Sequence, residues 1–375
     1  MVGIAPSQIY PVEHYIQDLT DQHKLSLRFQ ASLGSTRFLK VARCESDMGP
    51  VVVKVFVIHD PSNDIKSLER RLRELKDSLS PTFNCLPFSH ALLTEKAGFI
   101  IRQFGKYSLY DRISTRPFLS HLEKRWLAFQ LLLAVEQCHR LGVCHGDIKL
   151  ENIIISSWSW LSLTDFASFK PTFLPEDNPA DFSYFFDTSR RRVCYIAPER
   201  FISRTTGEES SSNLGVELGQ EKAELVQSMD LFSVGCCIAE LFTDGLTLFD
   251  FSQLLAYIGG EYHPEAVLDK IEDSAVRSLV EHMINKDPAC RLSAGEYLHR
   301  ERGKVFPENF YTFLQSYIGM FSRAPLMSSD QKIKRIHKDL SHFQSLLDSE
   351  DPSNSIDTGC LLVVTNVVIS CVRQR

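Results

Sequence analysis

The chain has no apolar run of the ~18 residues that a membrane-spanning helix needs. The best candidate, Leu361 to Cys371, is shorter and is broken by Thr365, Asn366 and Ser370. It reads as part of a helix whose packing partners lie elsewhere. An excess of positive charge is missing too. With 41 Lys and Arg against 47 Asp and Glu the formal net charge is −6, so there is no basic footprint for nucleic acid. The ten cysteines form no C-x-x-C pair, and no secretory signal precedes them. Reduced, mostly buried thiols in a cytoplasmic protein are expected, with Cys236 and Cys237 in the core. What is present is an ordinary globular composition: 375 residues, 43% hydrophobic and 23% charged. That is enough apolar mass for a sizeable core and two or three domains.

One octapeptide is more informative than the rest, His145-Gly146-Asp147-Ile148-Lys149-Leu150-Glu151-Asn152. An Asp, a Lys two residues on and an Asn five residues on place three polar groups at one turn of a loop. Phosphoryl transfer from ATP uses such a set. Asp147 can accept the proton of a substrate hydroxyl, Lys149 can neutralise charge on the γ-phosphate, and Asn152 can hold Mg²⁺. Residues 129–139 before it carry helical apolar spacing, and Ile153-Ile154-Ile155 after it reads as a buried strand. Helix, loop and strand in this order form the context of the protein-kinase catalytic loop. Gly146 departs from it, standing where an Arg is expected.

Five further blocks follow the protein-kinase pattern in chain order. Leu33-Gly34-Ser35-Thr36-Arg37-Phe38-Leu39-Lys40-Val41 occupies the place of the glycine-rich loop, with one glycine retained. Val51-Val52-Val53-Lys54 resembles the strand whose Lys contacts the nucleotide phosphates, Asp165-Phe166-Ala167 stands for D-F-G, and Ala197-Pro198-Glu199 matches A-P-E. Asp230 to Gly235 resembles the buried helix that anchors the catalytic loop, and Arg291 lies where kinases pair an Arg with the A-P-E glutamate. Taken singly, Lys54 is a solvated strand end, Gly34 a turn residue and Asp165 a helix cap. The ordered set lifts those bland readings. The resemblance implies an α+β, bilobal protein-kinase-like fold, with a small β-rich lobe and a large α-rich lobe. It assigns nucleotide contact to Leu33, Gly34, Val41 and Lys54, metal binding to Asn152 and Asp165, and catalysis to Asp147 and Lys149. ATP and Mg²⁺ are the implied cofactors, with GTP not excluded.

The chain divides accordingly. Residues 1–28 form an irregular lead marked by Pro6 and Pro11. Residues 29–303 form the kinase-like domain, with its small lobe at 29–104 and its large lobe at 105–303. A Ser-, Glu- and Gly-rich insertion covers 204–227. Residues 304–375 read as a helical extension that could open a repeat array. In the small lobe Ile65, Leu68, Leu72, Leu75 and Leu79 give a helix one apolar face. Glu69 is preferred to Glu74 as partner of Lys54, although a plain surface carboxylate is the commoner role for either. Arg102-Gln103-Phe104 is assigned to the hinge.

Three departures bear on mechanism. Thr36 and Leu39 stand where glycines would allow close backbone approach to phosphate, so they are expected to crowd the loop. Ala167 restricts the D-F-G backbone while Asp165 is kept. Gly146 removes the Arg that grips an activation-loop phosphate. Arg190-Arg191-Arg192 offers another acidic contact, with a solvated basic run as the favoured reading.

The stretches Gly3 to Gln8, Tyr110 to Phe118, Thr164 to Thr172 and Leu174 to Phe182 narrow the resemblance further. Over nearly the whole chain the sequence is similar to the kinase-like regulatory subunits of the class III phosphatidylinositol 3-kinase. That resemblance implies endosomal sorting and autophagy, in complex with the lipid kinase catalytic subunit and a beclin-type coiled-coil subunit. It also implies a peripheral location on endosomal and autophagic membranes. The family is expected to be myristoylated on a Gly after the initiator Met; here Val2 holds that place, so membrane contact is expected mainly through the complex. Two functions stand side by side: an atypical, slow Ser/Thr protein kinase, and a nucleotide-binding pseudokinase scaffold without transfer.

Overall fold

The computed structural model describes residues 10–35, 39–57, 65–94, 97–156, 159–166, 170–187, 191–202, 224–311 and a few helical positions between 330 and 341. Period-two alternation builds the first lobe. Strands β1 (Leu27–Ser35), β2 (Leu39–Ser46), β3 (Gly49–Val57), β5 (His90–Leu93) and β6 (Ala97–Gln103) form an antiparallel sheet in the order β1-β2-β3-β6-β5. Ala42, Cys44, Val53, Val55, Phe99 and Ile101 bury one face against Tyr15, Ile16 and Leu19 of helix α1 (Val12–His23). The expected irregular lead therefore contains a helix. Pro11, at its N-cap, needs no hydrogen bond for its own nitrogen and so starts the helix rather than preventing it. On the other face Leu39, Phe56 and Ile100 join Leu72, Leu75 and Leu79 of helix α2 (Ile65–Leu79). These three leucines keep the helical spacing read from the sequence.

A second sheet, ordered β4-β9-β8-β7, joins the lobes. Its strands are β4 (Cys85–Leu86), β7 (Tyr107–Ser108), β8 (Ile153–Ile155) and β9 (Leu161–Thr164), and β4 pairs in parallel with β9 through Cys85 and Leu163. The catalytic-loop octapeptide lies between helix α4 (His121–Arg140) and β8, and Asp165 follows β9 directly. Helix α3 (Leu109–Ile113) precedes α4, whose N-terminus is fixed by a reciprocal Ser120–Glu123 capping box.

Below the catalytic loop runs helix α6 (Gln227–Phe242), buried at every position from Met229 to Phe242. Such all-round burial marks a helix at the centre of a core. Gly235 permits close approach of helix α9 (Ser274–Met283), since a Cβ there would stand 2.7 Å from the Met283 Cβ. Helix α10 (Ala294–Arg300) packs on α4. In chain order, the short parallel pair β10 (Leu174–Pro175) and β11 (Phe201–Ile202) and helix α5 (Pro179–Phe185) come between β9 and α6; α7 (Phe251–Gly259) and α8 (Glu265–Leu268) follow α6. Packing continues past residue 303: Phe306 and Phe310 are fully buried, and the Phe310 ring lies 5.0 Å from Trp126. The molecule is thus a bilobal α+β protein-kinase-like fold. Among the described residues no helix is long and apolar enough to cross a membrane.

Candidate active site between the lobes

Asp230 of α6 supports the catalytic loop from below. Its carboxylate accepts the backbone N–H of His145 at 2.7 Å and of Gly146 at 2.8 Å, and lies 2.9 Å from His139 Nε2. Burial opposes its ionisation, but His139 and the amide donors outweigh that and hold it below the usual carboxylate range. Cys144 lies close by, yet burial pushes its thiol up to about 12, so the His139–Cys144–Asp230 group is a structural anchor without a thiolate ligand. Gly146 has φ +79°, and a Cβ on it would stand 2.6 Å from Leu225 Cδ1. An Arg here would be strained in backbone and crowded in side chain. Its place is taken from elsewhere in the chain: Arg200 donates to the Gly146 carbonyl at 2.7 Å, to Thr172 O at 2.7 Å and to Pro171 O at 3.0 Å. His145 Nε2 lies 2.8 Å from Thr164 O, while Asp147 N–H donates to its Nδ1 at 3.2 Å. That pair of contacts requires the neutral imidazole with its proton on Nε2, and burial lowers its pKa in the same sense.

The structure brings Asp147, Lys149 and Asn152 together. Asn152 Nδ2 donates to the Asp147 carbonyl at 2.8 Å and to its Oδ2 at 3.1 Å, and Lys149 Nζ lies 3.2 Å from the same Oδ2. A further cation joins them, Lys170, whose Nζ is 2.7 Å from Asp147 Oδ2 and 4.8 Å from the centre of the Phe186 ring. Burial raises the Asp147 carboxyl, but Lys149 and Lys170 outweigh it and hold the group at about 2. Burial drives the Lys170 ammonium down to about 8 against the pull of Asp147. For Lys149 burial is outweighed by Asp147 and Glu151, and its pKa is raised. Lys149 also donates to Phe186 O at 2.6 Å. Phe182, within α5, and Phe186, at its C-cap, line a depression together with Asp147, Lys149 and Tyr195.

Asp165 stands across the cleft from these groups, in the left-handed region at φ +67°, which Asp tolerates better than most residues. Lys54 Nζ lies 2.9 Å from its Oδ1. Arg102 clamps both oxygens, Nε to Oδ1 at 2.9 Å and Nη2 to Oδ2 at 3.1 Å. Burial is outweighed by these two cations, and the Asp165 carboxyl is held far below its usual range. Lys54 is shifted down, by burial first and by the Arg102 charge as well, against Asp165.

Above the cleft, Leu33 and Gly34 lie on β1, with Leu33 48% exposed and Gly34 paired to Val41 of β2; Val41 in turn pairs with Lys54 of β3. Other residues stand differently from what the sequence suggested. Leu39 does not crowd the phosphate space: as the first residue of β2 it pairs with Phe56 and is buried in the core. Arg102 belongs to β6 rather than the hinge. It pairs with Val52, two residues from Lys54 on β3, so both side chains project from one face into the cleft. Arg191 is not solvated. It lies 3.1 Å from Glu151, pairs with the buried Glu240 and stacks 3.7 Å over Tyr110. Glu74 is exposed with Arg70 at 3.9 Å, so Lys54 does not pair with it. The Glu69 side chain, Thr36, Ala167 and Arg190 lie outside the described residues. Arg291 grips Glu199 bidentately at 2.7 and 3.0 Å, as the pattern implied.

Lys170 and Arg200 went unassigned from sequence, and Arg102 was assigned to the hinge rather than to Asp165. Arg102 carried a signal, a charge ending the apolar run Phe99-Ile100-Ile101 in the alternation of Lys54. Arg200 adjoins the A-P-E block. Lys170 carried none.

Residues 27–301 match the protein kinase domain, and the chain belongs to the protein kinase family. It is 47% identical to "Serine/threonine-protein kinase VPS15" of Arabidopsis thaliana over 330 residues, 87% of this chain and 21% of that protein. It is 44% identical to "Serine/threonine-protein kinase vps15" of Schizosaccharomyces pombe over 85% of this chain and 18% of the relative. The namesake in Saccharomyces cerevisiae is 38% identical over 89% of this chain and 24% of its own length. The chain therefore spans less than a quarter of these relatives. Their names bear out the family resemblance read from the sequence. A protein kinase domain uses ATP and Mg²⁺ in general.

Proposed function

We propose that the chain is a slow serine/threonine protein kinase of the VPS15 type, transferring the γ-phosphate of ATP to protein hydroxyls. In the cell it acts as the regulatory subunit of a class III phosphatidylinositol 3-kinase complex, with the lipid kinase and a beclin-type coiled-coil subunit as partners. It reaches endosomal and autophagic membranes mainly through that complex. The observation that carries the chemistry is the convergence of Lys149 and Asn152 on one carboxylate oxygen of Asp147.

Asp147, ionised at neutral pH because of its lysine neighbours, takes the acceptor hydroxyl's proton. Lys149, charged, neutralises the transferring phosphoryl oxygens once it leaves the Phe186 carbonyl. Asn152 orients Asp147 through the carbonyl and carboxylate of the same residue. Lys54 and Val41 line the nucleotide side. The oxygens of Asp165 and Asn152 are of the kind that suits Mg²⁺. As arranged, however, both Asp165 oxygens are held by side-chain cations, so they do not fit a divalent ion. The same observation favours the second reading, a nucleotide-binding scaffold, since Lys170 and Arg102 sit on the two carboxylates that transfer requires.

Nucleotide binding tests the shared part of both readings. ATP at ~100 times its Kd stabilises a protein by about 2.7 kcal/mol, so thermal melting of the parent chain rises with ATP, and Lys54→Met removes most of the rise. Melting indifferent to both ATP and GTP contradicts the reading.

A further inference from the structure

We infer that this cleft binds nucleotide phosphates with fixed side-chain charge in place of a divalent cation, Arg102 standing on Asp165 where the metal would bridge carboxylate and phosphate. The inference rests on the nucleotide-site reading above and specifies how that site meets its ligand.

The first observation is a count of charge. The ion-paired set consists of Lys54 and Arg102 on Asp165, and Lys149 and Lys170 on Asp147, all eleven percent exposed or less. Four cations thus face two carboxylates, and the two groups interact across the cleft, since Lys54 also feels the charge of Asp147. Polyphosphate needs positive charge around it, which a divalent ion normally brings into a cleft whose own carboxylates nearly cancel its lysines. Among the described residues this paired set already has a surplus of two positive charges. The surplus comes from Arg102 and Lys170.

The second observation is geometry. A guanidinium has five N–H donors in a planar fork. Arg102 gives two to Asp165 and one to the Gln103 carbonyl, which leaves two for a further oxygen-rich partner. Its side chain enters the cleft from the face of the sheet that carries Lys54, through the Val52–Arg102 and Lys54–Ile100 register. A phosphate lying against Lys54 therefore meets Arg102 as well. Guanidinium binds carboxylate and phosphate oxygens with the same fork, so one side chain can bridge the two as a metal ion does. A divalent ion approaching Asp165 meets two cations already on both oxygens, and must displace at least one.

The arrangement is also fixed. Arg102 is 7% exposed and sits on a strand paired on both sides. Its contacts hold the rotamer before any ligand arrives, so the charge is pre-organised rather than recruited.

The test is calorimetric titration of ATP into the full 375-residue chain, once with excess EDTA and once with millimolar Mg²⁺. The parent is expected to bind with Kd values within about threefold of each other. Arg102→Met is expected to bind at least tenfold more weakly in EDTA and to recover with Mg²⁺. Arg102→Lys, which keeps the charge and loses the fork, is expected to fall between them. Melting curves without ligand show that each variant is folded. Binding by the parent that appears only with Mg²⁺ overturns the inference and leaves the kinase reading standing. Equal loss in EDTA and Mg²⁺ for a folded Arg102→Met also overturns it, because the side chain is then not standing in for a metal. No binding of ATP under either condition overturns both.

Discussion

Lys170 is a buried charge whose protonation bears on the stability of the fold. Its ammonium is held against Asp147 at 2.7 Å, and burial lowers its pKa from 10.5 to about 8. The folded state thus disfavours the protonated form relative to the unfolded chain. The cost is fully present below about pH 8 and is relieved as pH rises from about 8 toward 10.5, where only the unfolded chain still binds the proton. At one pH unit per 1.36 kcal/mol this amounts to about 3 kcal/mol across the window. Urea denaturation of the parent and Lys170→Met at pH 7.5 and 10 reads it directly. The parent is expected to gain on the variant by about 2–3 kcal/mol; no relative gain means that Lys170 is solvated or firmly protonated in the fold. The residues with a fixed place in an ordered motif, Lys54, Asp147, Lys149, Asn152 and Asp165, were legible in the sequence as a set. Arg102 and Lys170 were less so, because a cation's role depends on which carboxylate the fold brings within 3 Å. Gly146 was legible as a departure, but its reason, the left-handed backbone beside Leu225, required the tertiary structure.

Among the elements, the segment between Asp165 and Glu199 is held to the catalytic loop by cations within it and just after it. Lys170 binds Asp147, Arg200 binds Gly146 O, and Arg191 joins Glu151 to Glu240. No phosphate is needed for any of these contacts. Glu240 is fully buried, burial raises its pKa, and Arg191 and the Tyr195 hydroxyl are the groups that favour its charge. Removing one partner of a buried pair leaves an uncompensated charge, which costs about 3–5 kcal/mol. Arg191→Met is therefore expected to lower stability by that amount, with much of it recovered in Arg191→Met/Glu240→Leu. A loss below about 1 kcal/mol in the single variant would show the network to be superficial. Elements with long periodic faces, α2 and α4, were readable from spacing. The lead helix α1 was not, because a proline at position 11 suggests irregular chain, whereas Pro11 stands just outside the first turn; the helix is defined by the sheet face that it covers.

At the scale of the molecule, two lobes bring one carboxylate from the catalytic loop and one from the end of β9 to the same cleft, each already neutralised by lysine or arginine. The kinase fold was legible from six ordered blocks, because their order and context repeat the path of the chain through the site. What the sequence left open was whether transfer survives, since that turns on contacts between segments far apart in the chain. If Asp147 is the base, its capture by Lys170 and the hold of Phe186 on Lys149 are expected to make turnover slow: positioning errors of ~1 Å already cost about 10²-fold in rate. The most direct measurement is incorporation of γ-labelled phosphate into protein by the purified parent chain and by Asp147→Asn. Slow incorporation is expected from the parent, well below the ~1–100 s⁻¹ of ordinary kinases, and none above background from the variant. Equal incorporation by the two would contradict the role of Asp147, and a parent rate within the ordinary range would contradict the restraint that Lys170 and Phe186 impose.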